Sequence, residues 1–251
     1  MSAIKEASGI RRAGRASSQW WKAAPILVAS LIVSFLWLLA YHGAVVTDGA
    51  AWEHSFLLSL HAASSPAEWT AALDISRVGY APVIVPVLVL CCLWWLVRRQ
   101  PWKAALVLSA FIVLTILDYA GKPFFARPRP DLFPHPAVAA ASYPSGHALF
   151  AVGFYGVITY LGLLGASPVS RRLGWSIWVL CALAVGFSRL VLGVHWPTDV
   201  VAGFIAGAVV LGGVGLARRS AQLGAPSHPR SSGLAQWPTG SSATAGPVGR
   251  R

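Results

Sequence analysis

Charged residues are scarce in this chain. Its 251 residues include 8 acidic and 20 basic side chains, so 11% of the sequence is charged while 56% is hydrophobic. A soluble domain of this length carries roughly twice that charged fraction. The composition therefore excludes an ordinary soluble globular protein and favours one that is embedded in a membrane.

Cysteine is also rare, and all three copies lie within apolar runs. Cys91 and Cys92 are neighbours, and Cys181 lies far from both in the sequence. No Cys-x2-Cys pair and no histidine-rich cluster accompanies them, so neither a disulfide framework nor a metal site is predicted. The chain also lacks a nucleotide-binding glycine loop and an internal repeat.

The net charge of +12 raises the question of nucleic-acid binding. The basic residues, however, cluster in short segments between apolar runs rather than along one polar face. Membrane topology accounts for this distribution, and no nucleic-acid partner is predicted.

Six apolar segments are long enough to cross a bilayer, at about 24–42, 80–97, 103–121, 147–165, 174–192 and 198–217. The predicted fold class is therefore an all-α polytopic membrane bundle of six transmembrane helices over residues 23–219, with a motif core at about 118–205. A basic N-terminus (1–22) precedes an uncleaved anchor. A tail rich in Ser, Gly, Pro and Ala (220–251) is predicted to be disordered.

The basic residues of the connecting segments predict the orientation. By the positive-inside rule, both termini are cytoplasmic and the segments at about 43–79, 122–146 and 193–197 face the extracytoplasmic side of the plasma membrane. The stretch 52–61 looks amphipathic and is either an interfacial helix or part of a loop that caps the bundle. The cytoplasmic cations outside the N-terminus are Arg98, Arg99, Lys103, Arg171, Arg172, Arg218 and Arg219.

The first of three polar motifs is Lys122-x6-Arg129-Pro130. Pro123, Pro128 and Pro130 are predicted to stop the preceding helix, which makes the segment a stiff loop at the membrane surface. Its cations either bind a phosphate group or simply snorkel to the interface.

The second motif, Pro144-Ser145-Gly146-His147, opens the fourth apolar segment. Ser145 is predicted to cap the helix, and Gly146 lets a ligand approach the backbone. The free N–H groups of a helix N-terminus bind anions, and His147 beside them can donate a proton. The alternative is that the motif is no more than a helix start.

The third motif is Ser188-Arg189-x5-His195-x3-Asp199. Pro197 suits the first turn of the sixth helix. Asp199 is predicted to reach one ring nitrogen of His195 and to leave the other free to attack phosphorus. The alternative is that His195 and Asp199 only cap a helix. That alternative does not explain Arg189, whose planar guanidinium group is suited to phosphate oxygens.

In this order, the three motifs resemble the signature of the type 2 phosphatidic acid phosphatase superfamily, which includes lipid phosphate phosphatases and vanadium haloperoxidases. The resemblance covers about residues 50–217. It implies that His195 is the nucleophile that forms a phosphohistidine, that Asp199 orients it, and that His147 is the general acid and later the base. It implies neither a metal nor a cofactor. The phosphate-binding residues that it implies are Lys122, Arg129, Ser145, Gly146 and Arg189.

One ambiguity lies inside the first motif. Arg127-Pro128 repeats the Arg-Pro pair two residues early. The family spacing selects Arg129, which leaves Arg127 as either a helper or a surface cation.

The function predicted from these residues is hydrolysis of a lipid phosphomonoester or pyrophosphate at the extracytoplasmic face. Undecaprenyl pyrophosphate is the first candidate, and phosphatidic acid and phosphatidylglycerol phosphate are alternatives. A haloperoxidase is disfavoured by the six apolar segments. A lipid or anion transporter is disfavoured because the segments are nearly free of charge apart from Asp118.

Overall fold

A computed structural model describes residues 24–43, 47–138 and 140–223. Within these ranges the chain forms eight α-helices and no β-strand, which confirms the all-helical class. A 3-10 turn, Arg77–Gly79, joins α3 to α4. The helices are α1 (Ala24–Gly43), α2 (Ala51–Ala63), α3 (Pro66–Ser76), α4 (Ala81–Val97), α5 (Pro101–Phe125), α6 (Gly146–Gly162), α7 (Pro168–Val191) and α8 (Pro197–Leu223).

The six predicted membrane segments are all helical, but the count of six spans is not confirmed. Among the described residues, α1, α5, α7 and α8 are long and apolar enough to cross a bilayer, and α3 and α4 qualify as a fifth span only as one unit bent by 44°. Helix α6 has 17 residues and is about 26 Å long, which is shorter than the ~30 Å hydrocarbon layer. Most of α6 is buried among other helices, so bilayer thickness does not set its length.

Helix α6 is the centre of the bundle. It packs against α5, α7 and α8, and α8 packs in turn against α1. A Cβ atom on Gly203 would lie 2.5 Å from the Ser145 carbonyl oxygen, and one on Gly207 would lie 2.7 Å from that of Leu149. The missing side chains allow the two backbones to touch. This contact brings the start of α8 beside the start of α6.

The outward faces of several helices are apolar. Leu90 of α4 is 66% exposed, Val97 at its end is 78% exposed, and Leu180 of α7 is 67% exposed. Large apolar side chains in contact with water are costly, and an apolar surface of this extent is typical of helices surrounded by lipid.

Helix α5 continues beyond its predicted end. It includes Lys122 and Pro123 and ends at Phe125, where Ala126 adopts a left-handed conformation with φ 48°. The prediction that Pro123 stops the helix was wrong. Proline removes one backbone N–H, and here the bond lost is in the last turn, where the helix is about to end. Lys122 therefore lies on a helix rather than in a loop.

At the far end of the chain, α8 extends to Leu223, beyond the predicted end at 217. The basic N-terminus (1–22) and the rest of the predicted tail (from 224) lie outside the described residues.

The predicted amphipathic stretch 52–61 forms most of α2, and α3 follows it without having been predicted. The signal for α3 was present in the sequence, because Ser65 and Glu68 form a reciprocal capping box. The Glu68 amide donates to Ser65 Oγ at 3.2 Å, and the Ser65 amide donates to Glu68 Oε2 at 2.7 Å. Helices α2 and α3 both pack against α7, at the end of the bundle that carries the motifs.

Candidate active site

The three motifs meet at one end of the bundle. The end of α5, the loop segments 126–138 and 140–145, the start of α6, and the turn between α7 and α8 lie side by side there. Nη1 of Arg129 is 3.1 Å from Nε2 of His195. His147 is within electrostatic range of His195 and of the cations Lys122, Arg129 and Arg189. All the predicted cations and both histidines therefore gather in one place.

The tautomer of His195 follows from its partner. A guanidinium group can only donate hydrogen bonds, so Nε2 must accept from Arg129 and the ring proton resides on Nδ1. Arg129 is held in place by the carbonyl oxygens of Ala140 at 2.8 Å, of Ala141 at 3.1 Å, and of Val194. The Nε2 lone pair of His195 consequently faces the cation cluster.

On the other side of the ring, a serine stands between His195 and Asp199. Nδ1 of His195 is 3.6 Å from Asp199 Oδ2, which exceeds a hydrogen bond, but 3.4 Å from Ser142 Oγ. The Ser142 hydroxyl donates to the same Asp199 oxygen, and the Trp196 amide donates to it at 2.9 Å. The geometry is a relay from Nδ1–H through Ser142 to the carboxylate rather than the direct contact that the sequence predicts. No motif points to Ser142.

The charge state of the site follows from burial. His195 is 2% exposed. Burial lowers its pKa well below the ordinary value, and Arg129, Arg189 and Lys122 lower it further. Burial, assisted by Arg189, lowers the pKa of Arg129 to about 10. At neutral pH the imidazole is neutral and the arginine is charged, which is the pairing that an anionic ligand and a nucleophilic nitrogen require.

Several buried polar atoms around Nε2 of His195 make no hydrogen bond. Among the described residues, Ser145 Oγ, His147 Nε2 and Arg189 Nε have no hydrogen-bond partner. Ser145 occupies the N-cap position of α6, but its side chain makes no capping bond, so that prediction was wrong. Buried polar groups without partners are rare unless a ligand completes them. Their position at a helix N-terminus beside three cations fits a tetrahedral anion.

Lys122 and Gly146 share a neighbour. Nζ of Lys122 lies 2.8 Å from Asp118 Oδ1, and a Cβ atom on Gly146 would lie 2.5 Å from that same oxygen. Because Gly146 has no side chain, the Asp118 carboxylate can lie this close to the start of α6. This carboxylate lies within the third apolar segment, and it holds the lysine at the site.

The segment that precedes α4 supplies residues that sequence reasoning missed. Ser76 accepts a hydrogen bond from Nη1 of Arg189. The Tyr80 ring meets the His147 ring edge-on at 4.6 Å, and the Arg189 guanidinium lies 5.8 Å from the Tyr80 ring centroid. A Cβ atom on Gly79 would lie 2.7 Å from His147 Cγ, so glycine leaves room for that ring.

Arg127 is not a surface cation, and that alternative was wrong. Its side chain is fully buried, and Nη1 lies 2.6 Å from Asp199 Oδ1. It belongs to the support of Asp199 rather than to the cluster around Nε2 of His195.

An open cavity of about 500 Å³ adjoins the cation cluster, and its lining includes Lys122, Arg129, Asp131 and His135. The volume lies in the range of small-molecule sites. Among the described residues, no group of three or more His, Cys, Asp and Glu side chains is arranged to hold a metal ion.

Comparison with known proteins gives consistent matches. Residues 102–219 match the family model described as the PAP2 superfamily. Phosphatidylglycerophosphatase B of Bacillus subtilis (strain 168) is 32% identical over 135 residues, which cover 53% of this chain and 66% of the relative. Undecaprenyl-diphosphatase of Sulfolobus acidocaldarius is 34% identical over 139 residues, 53% of this chain and 62% of the relative. The matched region thus spans slightly less than two thirds of these relatives.

Solved structures share the fold. The crystal structure of a transmembrane PAP2-type phosphatidylglycerolphosphate phosphatase from Bacillus subtilis superposes with a TM-score of 0.65 at 25% identity, covering 77% of this chain and 96% of that chain. LpxE of Aquifex aeolicus superposes with a TM-score of 0.53 at 23% identity, covering 70% of this chain and 99% of that chain, which bears on the fold alone. With the apolar helices, these likenesses show a multi-pass membrane protein whose residues 102–219 match the PAP2 superfamily.

Proposed function

We propose that the protein is a membrane lipid phosphatase that hydrolyses a lipid phosphomonoester or pyrophosphate through a phosphohistidine at His195. The observation that carries the proposal is the meeting of a neutral His195 Nε2 with three cations and with unpartnered atoms of Ser145, His147 and Arg189. The relatives described above bear the names of lipid phosphatases, which supports the same reaction class.

Phosphate binding is the first step of the proposed reaction. Lys122, Arg129 and Arg189 surround the non-bridging phosphoryl oxygens, and the Ser145 hydroxyl and the Gly146 amide donate to them. Arg129 exchanges its bond to His195 Nε2 for a bond to a phosphoryl oxygen, which releases the nitrogen lone pair.

The covalent step follows from that geometry. Nε2 of His195 attacks phosphorus, the bond from phosphorus to the lipid oxygen breaks, and His147 donates a proton to that oxygen. The imidazole becomes cationic while it carries the phosphoryl group, and the Ser142–Asp199 relay stabilises that charge through Nδ1–H. His147 then takes a proton from a water molecule whose oxygen attacks phosphorus. The P–N bond breaks, and phosphate leaves.

The six-span topology, with both termini cytoplasmic and the site extracytoplasmic, is part of the proposal. The motifs lie at the ends of α5 and α7 and the starts of α6 and α8. Cations such as Arg98 and Arg172 occur at the opposite helix ends, as the positive-inside rule requires for a cytoplasmic face. In this arrangement α6 crosses the bilayer inside the bundle, with the loop 126–145 completing the crossing.

Undecaprenyl pyrophosphate is the proposed substrate, with phosphatidic acid and phosphatidylglycerol phosphate as alternatives. Relatives named for the first and the third of these lipids match over similar lengths of this chain. The phosphate-binding residues contact the group that all three share, so the lipid portion must be discriminated elsewhere.

The test is phosphate release by the detergent-purified full chain from these three lipids and a soluble phosphate ester, with a chelator present. His195→Ala is compared with wild type, and His61→Ala serves as the control because His61 is an exposed histidine outside the motifs. We expect chelator-resistant release that is lost in His195→Ala and kept in His61→Ala. Release by His195→Ala at the wild-type rate would overturn the mechanism.

A further inference from the structure

A buried ion-pair network outside the three motifs touches the carboxylate partner of His195. The Arg127 side chain has no solvent exposure. Its Nη1 lies 2.6 Å from Asp199 Oδ1 and 2.7 Å from Thr198 Oγ1, and its Nη2 lies 3.1 Å from Glu53 Oε2. One guanidinium therefore joins the start of α8 to a carboxylate on α2.

Glu53 uses both carboxylate oxygens in this network, although its side chain is 1% exposed. Oε1 accepts from the amide and the hydroxyl of Thr198 at 3.1 and 2.7 Å. Oε2 accepts from the Ala50 amide at 3.0 Å as well as from Arg127. Arg127 also donates from Nε to the Thr47 carbonyl at 3.2 Å. The arginine is thus immobilised on the side that faces away from His195.

The two oxygens of the Asp199 carboxylate bind different partners. Oδ1 binds Arg127, and Oδ2 binds the Ser142 hydroxyl and the Trp196 amide. The Trp196 ring lies under the Arg127 guanidinium at 5.5 Å and excludes water from the pair. With Oδ1 anchored, the carboxylate plane is fixed and Oδ2 stays on the side of the His195 ring.

The charges in the network match the charge that the reaction creates. Two carboxylates, Glu53 and Asp199, surround one guanidinium, so the buried group carries a net charge of −1. An Arg127–Asp199 pair alone would be neutral and would offer little attraction to a cationic imidazole. With Glu53 included, the group balances the +1 that develops on His195 when phosphorus bonds to Nε2.

We propose that Arg127 and Glu53 are positioning residues for phosphoryl transfer: Arg127 fixes the carboxylate of Asp199 against the Ser142–His195 relay, and Glu53 immobilises Arg127 and supplies the balancing negative charge. This inference rests on the proposed phosphatase function. Neither residue reaches the phosphoryl group, so both act through Asp199.

A purely structural ion pair that attaches α2 to the bundle makes a different prediction, because its loss would lower the amount of folded protein without changing the chemistry of each molecule. The variants are Arg127→Gln, Arg127→Lys, Glu53→Gln and the double variant Arg127→Gln/Glu53→Gln. Arg218→Gln is the matched control, since it removes a partly buried arginine bonded to Tyr160 at the opposite end of the bundle.

For Arg127→Gln we expect kcat to fall about 100-fold on dioctanoyl phosphatidic acid, because about 1 Å of misplacement costs that much. KM and the inhibition constant for inorganic phosphate should change less than about threefold, because the phosphate-binding cations remain. Arg127→Lys keeps the charge and should recover part of the loss. Glu53→Gln should lose about tenfold.

The double variant is the sharpest comparison. Removing Arg127 alone leaves two facing buried carboxylates, which favours a proton on one of them. Removing both charges leaves Asp199 as the only carboxylate of the network, so we expect the double variant to be faster than Arg127→Gln. Losses that simply multiply in the double variant, or a wild-type kcat for folded Arg127→Gln, would overturn the inference.

A measurement without substrate separates this inference from the proposed function. In ¹⁵N-histidine-labelled protein, His195 signals are assigned by their absence in His195→Ala. We expect the ring proton to stay on Nδ1 in every variant, because Arg129 still donates to Nε2. The Nδ1–H proton resonance should lie at the same downfield position in wild type and in Arg218→Gln, and should move upfield in Arg127→Gln and Glu53→Gln as the bond to the Ser142–Asp199 relay weakens. An unmoved resonance in the network variants would overturn the positioning role, whereas absent phosphate release by wild type would overturn the phosphatase proposal.

Discussion

Residues 122–199 and residues 47–80 both bring buried polar side chains to the same end of the bundle, but they use them differently. In the first region, atoms of Ser145, His147 and Arg189 are left without partners around His195. In the second region, Glu53 and Ser76 use their oxygens to bind arginines of the first. One region keeps polar atoms open for a ligand, and the other holds those atoms in place.

This difference explains why only one of the two regions carries a recognisable motif. A group that binds phosphate must have a particular chemistry at a particular spacing, because the ligand has a fixed size and charge. A supporting residue needs only a complementary partner, which another fold position can provide.

Loss of His147, the proposed general acid in the first region, should have the largest effect. His147→Gln should lower kcat on an alkyl phosphate by about 10²–10⁴-fold. The loss should be much smaller on p-nitrophenyl phosphate, whose leaving group needs no proton. Steady-state rates on both substrates test this, and equal losses would contradict the role of His147.

Crowding the same histidine from the second region should have a smaller effect. Gly79→Val would place a side chain against the His147 ring, where a Cβ atom has only 2.7 Å to Cγ. We expect kcat to fall about 10- to 100-fold through displacement of the ring. Gly212→Val is the control, because a Cβ atom there meets nothing within 4 Å. If Gly79→Val were as active as the control, the second region would have no influence on the position of the His147 ring.

The relay serine tests a supporting residue that lies inside the first region. Ser142→Ala removes the hydroxyl between His195 and Asp199 and should lower kcat about tenfold, which is the scale of one hydrogen bond to a charged group. KM should remain near the wild-type value. Ser142→Thr keeps the hydroxyl, and its failure to retain more activity than alanine would show that the bridge is not used.

The smallest expected effect is a displacement of the pH profile. Because burial and the nearby cations lower the pKa of His195, the reactive neutral form persists below the ordinary histidine pKa of about 6.5. The acid limb of kcat/KM in wild type should therefore lie below that pH. Arg129→Gln removes the largest cationic contribution, so the pKa should rise and the acid limb should move to higher pH. Comparing normalised profiles on one substrate cancels the ionisation of the substrate, and an unmoved limb would contradict the assignment.

The local features of the chain were readable from the sequence. Apolar runs predicted helices at all six segments, and the spacing of Lys122, Arg129, His147 and His195 at the ends of those runs predicted their meeting. Other local predictions failed where the backbone had alternatives. Helix α5 includes Pro123 in its last turn, and the Ser145 hydroxyl at the N-cap position makes no capping hydrogen bond.

The sequence by itself determined the helical class, the membrane-compatible surface and the resemblance to the family, because hydrophobic length and motif spacing act over a few neighbouring residues. Only the tertiary structure decided the support of the site. Glu53 meets Arg127 across 74 positions of sequence and Thr198 across 145. Such contacts depend on how α2 packs against α7 and α8. The sequence around Glu53 therefore does not predict which buried arginine its carboxylate will contact.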